Sequence, residues 1–395
     1  MTERELFYRY LGLPARQPLG LEFDKAEGVW LYGRNGKKYL DLVSGVSVSN
    51  IGHRHPAVIS AIEEQLGKYL YLTVYGEYIQ SPQVRLAKML ADLLPPGLDS
   101  VYFVNSGSEA IEGAVKLAKR VTGRTEVISF HGGYHGSTQG ALSILGNEVL
   151  KNAFRPLIPG NRLIRFNRPD ELDRITEKTA CVVAETIQAE AGIILPDAGY
   201  LSSLRNRCSE TGALLVIDDV QMGFGRTGKL FSFGHWDVVP DILVLAKALG
   251  GGMPLGAFIS SADRMNALSH DPELGHITTF GGHPVSCAAA LASLKVLTET
   301  ILLESVGIKG DMFYHRLKDH PEIREIRYKG LMMGIELKRP ELRQPLTEKL
   351  LEEGIVTDWY LFRPDTFRIA PPLVISREEI EQACEAIIRA FSGCP

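Results

Sequence analysis

Residues 214–219, LLVIDD, and 241–252, DILVLAKALGGG, decide the fold of this chain. Each is a short run of leucine and β-branched residues that ends in charge: Asp218 and Asp219 close the first, Lys247 the second. A run of four or five residues that is apolar on both faces suits a strand covered on both sides by helices, as in a parallel sheet. Working outward, VYFV (101–104), EVISF (126–130), ACVVAE (180–185) and GAFISS (256–261) repeat the pattern, with helix-like segments between them. One such segment, 109–121 (EAIEGAVKLAKRV), places Ile111, Ala114, Val115, Ala118 and Val121 on a single apolar stripe. The predicted class is α/β with a mainly parallel sheet.

The ends of the chain read differently. Residues 21–45 alternate apolar and polar residues around Gly33-Arg34-Asn35-Gly36, the pattern of short strands about a turn. From about residue 294, helices mix with a strand-like KGLMMGIEL and an amphipathic REEIEQACEAIIRAF. We expect a large domain over 50–293 and a small α+β domain formed by both termini, 1–49 and 294–395.

Charge and composition narrow the function. Lys+Arg 43 against Asp+Glu 47 gives −4 with no basic stripe, so nucleic acid is not an expected partner. No apolar run approaches the ~20 residues of a membrane helix, and MTERELFYRYLG carries charges where a signal peptide needs its apolar core. The five cysteines lack CxxC spacing, so reduced thiols in the cytoplasm are expected rather than disulfides or zinc.

In open sheets ligands bind beyond the carboxyl ends of the strands, and the polar clusters fall there. Asn105-Ser106-Gly107-Ser108 follows VYFV and leads into the 109–121 helix, where free N–H groups and the positive dipole end suit a phosphate. The same serines would equally serve as helix caps. Asp218 alone would equally serve as a strand-end cap. Lys247 ends an apolar strand ahead of Gly250-Gly251-Gly252, glycines that let the backbone turn closely, and a desolvated lysine is what Schiff-base chemistry needs. An aspartate beside a pyridine nitrogen keeps it protonated and makes the ring an electron sink. Phosphate turn, acidic strand end and lysine strand end together describe a pocket for pyridoxal 5'-phosphate.

With these residues in place the chain resembles the class III aminotransferases, the ornithine, acetylornithine, 4-aminobutyrate and ω-amino acid transaminase group. The resemblance runs through DLVSGVSVSNIGHRHPAV, FVNSGSEAIEGAVKLAKR, ISFHGGYHGS, AETIQAEAGIILPDAGYL, LLVIDDVQMGFGRTGK, ILVLAKALGGGMPLGA, TTFGGHP and FRIAPPLVI. It implies the pyridoxal-phosphate-dependent transferase fold type I, with a seven-stranded type of sheet, and a homodimer with shared active sites. It also implies roles. Lys247 and Asp218 would be catalytic, Lys247 as the Schiff-base lysine and Asp218 on the ring nitrogen. Ser106, Gly107 and Ser108 would hold the phosphate, Tyr134 would stack on the ring with His135 beside the cofactor, and Gln221 would bond near the phenolic oxygen. Thr279 would reach the phosphate of the neighbouring subunit, with Thr278 near the substrate. Arg368 would clamp a substrate α-carboxylate through its planar two-donor fork, and Glu190 would cover that arginine when the amino donor presents no α-carboxylate.

The expected reaction moves an amino group from an ω-amino acid or amine (ornithine, acetylornithine, 4-aminobutyrate or related) to a keto acid, 2-oxoglutarate. An aminomutase or a decarboxylating transaminase of the same fold is the alternative. Three departures bear on this. Glu185-Thr186 stands where the family has Glu-Pro, Asp218-Asp219 where it has Asp-Glu, and Ser137 where acetylornithine transaminases carry an arginine. The last favours other ω-amino acids or amines over acetylornithine.

Two patterns mislead. Gly223 to Lys229 (GFGRTGK) satisfies GxGxxG and nearly a P-loop, but no helix follows it and Leu230 occupies the magnesium-binding Ser/Thr position, so a turn is expected. His53 with His55, and His131 with His135, lack a carboxylate or cysteine at ligand spacing, and no metal is expected.

Overall fold

A computed structural model of the chain describes residues 1–395. The N-terminal strands are β1 (Phe23–Glu27), β2 (Trp30–Gly33) and β3 (Lys38–Asp41). The central strands are β4 (Ser100–Val104), β5 (Glu126–Phe130), β6 (Asn161–Ile164), β7 (Thr179–Glu185), β8 (Leu214–Asp218), β9 (Ile242–Leu245) and β10 (Gly256–Ser260). The C-terminal strands are β11 (Ile323–Lys329), β12 (Met332–Leu337), β13 (Ile355–Val356), β14 (Trp359–Tyr360) and β15 (Arg363–Ile369).

The seven central strands form one sheet in the order β4-β10-β9-β8-β7-β5-β6. From β9 through β8, β7 and β5 to β6 every pairing is parallel; β10 runs antiparallel to both neighbours. Every residue of β7, β8, β9 and β10 is buried, so these strands read as unbroken apolar runs in the sequence. The six strands expected from the sequence are present to within one residue at each end. The seventh, β6, gave no such signal because it is an edge strand pairing only with β5, and only its last residue is buried.

The helix Gly107–Thr122 lies across one face of this sheet and buries Ala110, Ile111, Gly113, Ala114, Leu117 and Ala118. This corrects the expected stripe: Val121 is 39% exposed and Leu117 takes its place in the core. Val121 lies on the same face as Ala114, seven residues earlier, but it stands at the last turn of the helix, beyond the part that is covered. Beneath it Val104, Val183, Val216, Val244 and Phe258 complete one apolar layer. Each such side chain contributes about 1.5–3 kcal/mol when withdrawn from water.

The two ends of the chain build smaller sheets. β13 pairs in parallel with β3, so the order β1-β2-β3-β13 joins the C-terminal third to the N-terminus. The antiparallel sheet β11-β12-β15-β14 carries Arg368, the next-to-last residue of β15. The terminal amphipathic segment is the helix Arg377–Ser392, opened by a Ser376/Glu379 capping box and burying Ile380, Ala383, Ile387 and Phe391. No single helix is long and apolar enough to cross a membrane.

The GFGRTGK stretch is a run of turns, and it buries Arg226 completely. That guanidinium donates to Leu331 O (2.9 Å), Pro371 O (2.5 Å), Ser44 Oγ (3.0 Å) and Asn50 Oδ1 (2.6 Å). One side chain thus ties the central sheet's loop to segments from both termini.

Candidate active site

Five groups meet at the carboxyl ends of the parallel strands: Asp218 ends β8, Glu185 ends β7, Lys247 follows β9 by two residues, Tyr134 and His135 follow β5, and Ser106 to Ser108 follow β4. They line one cavity of about 520 Å³ together with Gln221, Gly136 and Asn105. Small-molecule sites occupy roughly 300–1,000 Å³.

The turn after β4 resolves its two readings residue by residue. Ser106 is a cap, its Oγ accepting from Glu109 N at 3.2 Å. The amides of Gly107 and Ser108 have no partner in the chain, so two N–H groups at the positive end of a 16-residue helix face the cavity. The wall opposite is Gly136, at φ +123°, whose missing side chain leaves room for Ser108; Ser108 Oγ accepts from Ser137 N at 3.3 Å.

Asp218 Oδ1 accepts from Val220 N at 3.1 Å, and its Oδ2 lies 2.8 Å from His135 Nδ1. Burial opposes charging His135, yet the bond and the charge of Asp218 win and hold its pKa above the ordinary imidazole value. His135 Nε2 is buried without a partner. Glu185 accepts from Tyr134 N (3.1 Å) and Ala189 N (2.9 Å), and burial pushes its carboxyl up to about 7.

Lys247 sits at φ +50°, a left-handed conformation rare for a residue with a side chain and a form of strain that clusters at functional sites. Its amine makes no hydrogen bond in the chain. Burial, reinforced by the charge of Arg368, pushes it down to about 8 against the opposing pull of Glu190, Asp218 and Glu185.

Two of the sequence departures turn out to touch. Thr186 Oγ1 lies 2.5 Å from Ser232 Oγ, and Ser232 donates to Asp219 from both its hydroxyl and its amide, the latter at 2.9 Å. Burial pushes Asp219 up to about 7. The shorter Asp219 and the hydroxyl of Thr186 are thus joined through one serine, linking the loop after β7 to the end of β8.

Arg368 does not line the cavity; it lies behind it, 2% exposed. Its Nη2 donates to Glu190 Oε1 at 3.0 Å and its Nε to Asp358 Oδ1 at 2.7 Å, while the Tyr360 ring lies 4.4 Å from the guanidinium carbon. Glu190 Oε1 also takes a long bond from Gln221 Nε2 at 3.4 Å, which connects the arginine to the cavity wall. Thr278 is one step away, its Oγ1 accepting from Asn105 Nδ2 at 2.8 Å. Thr279 is exposed, bonded to Tyr75 (3.2 Å) and Tyr71 (2.7 Å), and does not reach the cavity of its own chain.

The model of the family described as aminotransferase class-III matches residues 13–391. The chain belongs to the class III aminotransferases. It is 38% identical over 394 residues to the acetylornithine aminotransferase of Methanopyrus kandleri, covering 99% of each chain. It is 40% identical over 380 residues to that of Methanocaldococcus jannaschii, covering 93% of this chain and 92% of the relative. Among solved structures, ornithine aminotransferase from Toxoplasma gondii superposes with TM-score 0.91 at 31% identity, covering 98% of this chain and 93% of that one. An (S)-enantioselective omega-transaminase from Thermomicrobium roseum gives 0.90 at 29% identity, covering 98% and 97%.

As a class III aminotransferase the chain uses pyridoxal 5'-phosphate, and the residues present fit that group. Two unpartnered helix N–H groups, a cradle that a Cβ at Gly136 would fill, an aspartate and an amine lowered to about 8 are the donor set a phosphorylated pyridine aldehyde requires. The sequence reading passed over Glu185 and Asp358. Glu185 carried the same signal as Asp218, a carboxylate ending a buried strand. Asp358 carried none, because it meets Arg368 only through the pairing of β14 with β15.

Proposed function

We propose that this aminotransferase takes its amino group from an ω-amino acid or simple amine and passes it to 2-oxoglutarate, with Lys247 as cofactor anchor and proton carrier. One observation carries the reading: the unbonded Lys247 amine opens on the same cavity as Asp218 and the Ser106–Ser108 turn. Pyridoxal phosphate, when bound, supplies an aldehyde that takes up the amino group and a ring that draws electrons from the carbon bearing it.

The chain's residues do the rest. The amides of Gly107 and Ser108 bind the phosphate at the helix N-terminus. Tyr134 would cover the ring, Gln221 would serve the phenolic oxygen, and Asp218, held in orientation by His135, would keep the ring nitrogen protonated. With the cofactor bound, Lys247 Nζ would be the base that takes the proton from the carbon bearing nitrogen and the acid that gives it back. A pKa near 8 leaves part of that amine neutral around neutral pH, as a general base needs.

Arg368 binds the α-carboxylate of the keto acid, and Glu190 covers it when the donor presents no α-carboxylate. Ser137 supports a donor other than acetylornithine: its hydroxyl shares a 3.2 Å bond with Tyr134 and offers no cation to an acyl or carboxylate end. We further propose a homodimer in which Thr279 reaches the partner's phosphate. Supporting it, Thr279 is exposed in a segment whose apolar side chains Phe280, Ile277 and Leu274 are each about half exposed. The pairing of β3 with β13 supports the division into 50–293 and the joined segments 1–49 and 294–395. Five unpaired cysteines support a reducing, cytoplasmic setting.

The test is a half-reaction screen on the cofactor-loaded protein, following its visible absorbance with ornithine, acetylornithine, lysine, 4-aminobutyrate, glutamate and simple amines offered separately. Bleaching by glutamate and by one ω-amino compound supports the proposal and names the donor. Bleaching by acetylornithine alone refutes the Ser137 argument, and bleaching by none refutes the whole.

A further inference from the structure

We propose that Asp358 is a positioning residue for the carboxylate site, holding Arg368 by its Nε so that the Nη1–Nη2 edge stays presented when Glu190 lets go. This rests on the reading of Arg368 as the carboxylate clamp.

A guanidinium has five N–H donors in one plane, and a carboxylate is bound best through two of them side by side. In Arg368 the edges are already divided. Nε is taken by Asp358 at 2.7 Å, Nη2 by Glu190 at 3.0 Å, and Nη1 is buried with no hydrogen-bond partner. The Tyr360 ring 4.4 Å away fixes the plane. The Asp358 segment also holds the backbone, since Arg368 N donates to Asp358 O at 2.9 Å and Thr357 Oγ1 donates to Arg368 O. If Glu190 were the only carboxylate, its departure would leave a 2%-exposed cation unpaired and free to turn, an expensive state. Asp358 keeps the cation paired, and the one edge left open is the two-nitrogen edge that a substrate carboxylate needs.

Asp358 has two opposed effects on such a carboxylate: it repels the charge and it orients the receptor. Its side chain is 36% exposed, against 7% for Glu190, so solvent screens part of the longer-range repulsion, although burial and the neighbouring Glu190 still hold its carboxyl above the ordinary aspartate range against the pull of Arg368; the short bond to Nε persists. Orientation is the larger effect.

The experiment uses the cofactor-loaded enzyme and glutarate, a dicarboxylate with neither amino nor keto group, with binding measured by calorimetry. Alongside it runs the single-turnover half-reaction of an amine bearing no carboxylate. Asp358→Ala should raise the glutarate Kd by about tenfold, as misplacing a binding group by a fraction of an ångström does, and leave the amine half-reaction within about twofold, as expected where the group makes no contact. Asp358→Asn, which keeps an oxygen for Nε–H and removes the charge, should restore glutarate binding. Unchanged or tighter binding in Asp358→Ala overturns the proposal, as does an equal loss for the amine or failure of Asp358→Asn to rescue. Arg368→Ala separates the two levels: if it binds glutarate normally the clamp reading itself falls, whereas loss there with retention in Asp358→Ala removes only the role of Asp358.

Discussion

Gly136→Ala is the smallest change that tests the phosphate turn. A Cβ at Gly136 would lie 2.7 Å from Ser108 Cβ and 3.0 Å from Ser108 Cα, and would overlap Ser108 Oγ. Ordinary carbon contacts begin near ~3.5 Å, so one wall must retreat by about 0.8 Å. Rotating Ser108 Oγ aside would relieve only the nearest overlap, because the Cα and Cβ of that first-turn residue remain in contact and cannot swing away. The φ of +123° adds a conformational cost of about 1–3 kcal/mol for any residue with a side chain. Both strains are relieved by moving Ser108, and with it the two free amides, away from the phosphate position. A shift approaching 1 Å in a binding group costs up to about a hundredfold, so the expected loss of pyridoxal phosphate affinity is about ten- to a hundredfold. The assay is titration of the cofactor-free protein with pyridoxal phosphate, read by visible absorbance, with circular dichroism to verify that the fold is kept. Wild-type affinity in a folded Gly136→Ala protein would refute the placement of the phosphate at this turn.

Three further outcomes follow from the same geometry. In the cofactor-free protein Lys247 should react with a neutral acylating probe at a rate that rises through about pH 8, while exposed lysines follow their ordinary ~10.4, as mass spectrometry of the labelled peptides would show; labelling of Lys247 that climbs only with the exposed lysines contradicts it. Asp219 is pushed by burial to about 7, above the ~3.9 of an unfolded aspartate, so the stability it gives by being neutral is full below the unfolded value and lost as pH rises through 7. Asparagine does not titrate, so the Tm of Asp219→Asn relative to wild type should move in the variant's favour between about pH 5 and pH 8, and a constant difference would count against the assignment. Arg226→Leu strands four buried acceptors and should cost about 3–5 kcal/mol in urea unfolding, where a loss under about 1 kcal/mol would show that the buried guanidinium is not the tie between the two termini and the central sheet.

What could be read from the sequence followed from local physics. LLVID and DILVLA betrayed themselves because strands buried on both faces are apolar throughout, and their terminal Asp218 and Lys247 were conspicuous for the same reason. NRLI gave no signal, since an edge strand needs little apolar surface. The stripe on the Gly107–Thr122 helix went astray at Val121 because where along a helix its cover stops is a tertiary property. The same limit governed the site. Motif residues lining one cavity were visible as motifs, but the Thr186–Ser232–Asp219 link spans 46 residues and the Asp358–Arg368 contact depends on strand register. Neither has a signature along the chain.

Lys247 is proposed as the residue to which the cofactor is joined and which carries the proton while the amino group is transferred. Borohydride reduction of the cofactor-loaded protein followed by peptide mapping tests it most directly. A pyridoxyl group is expected on Lys247 alone, and none in Lys247→Ala. A label on any other lysine, or a labelled Lys247→Ala protein that still turns over, would contradict it.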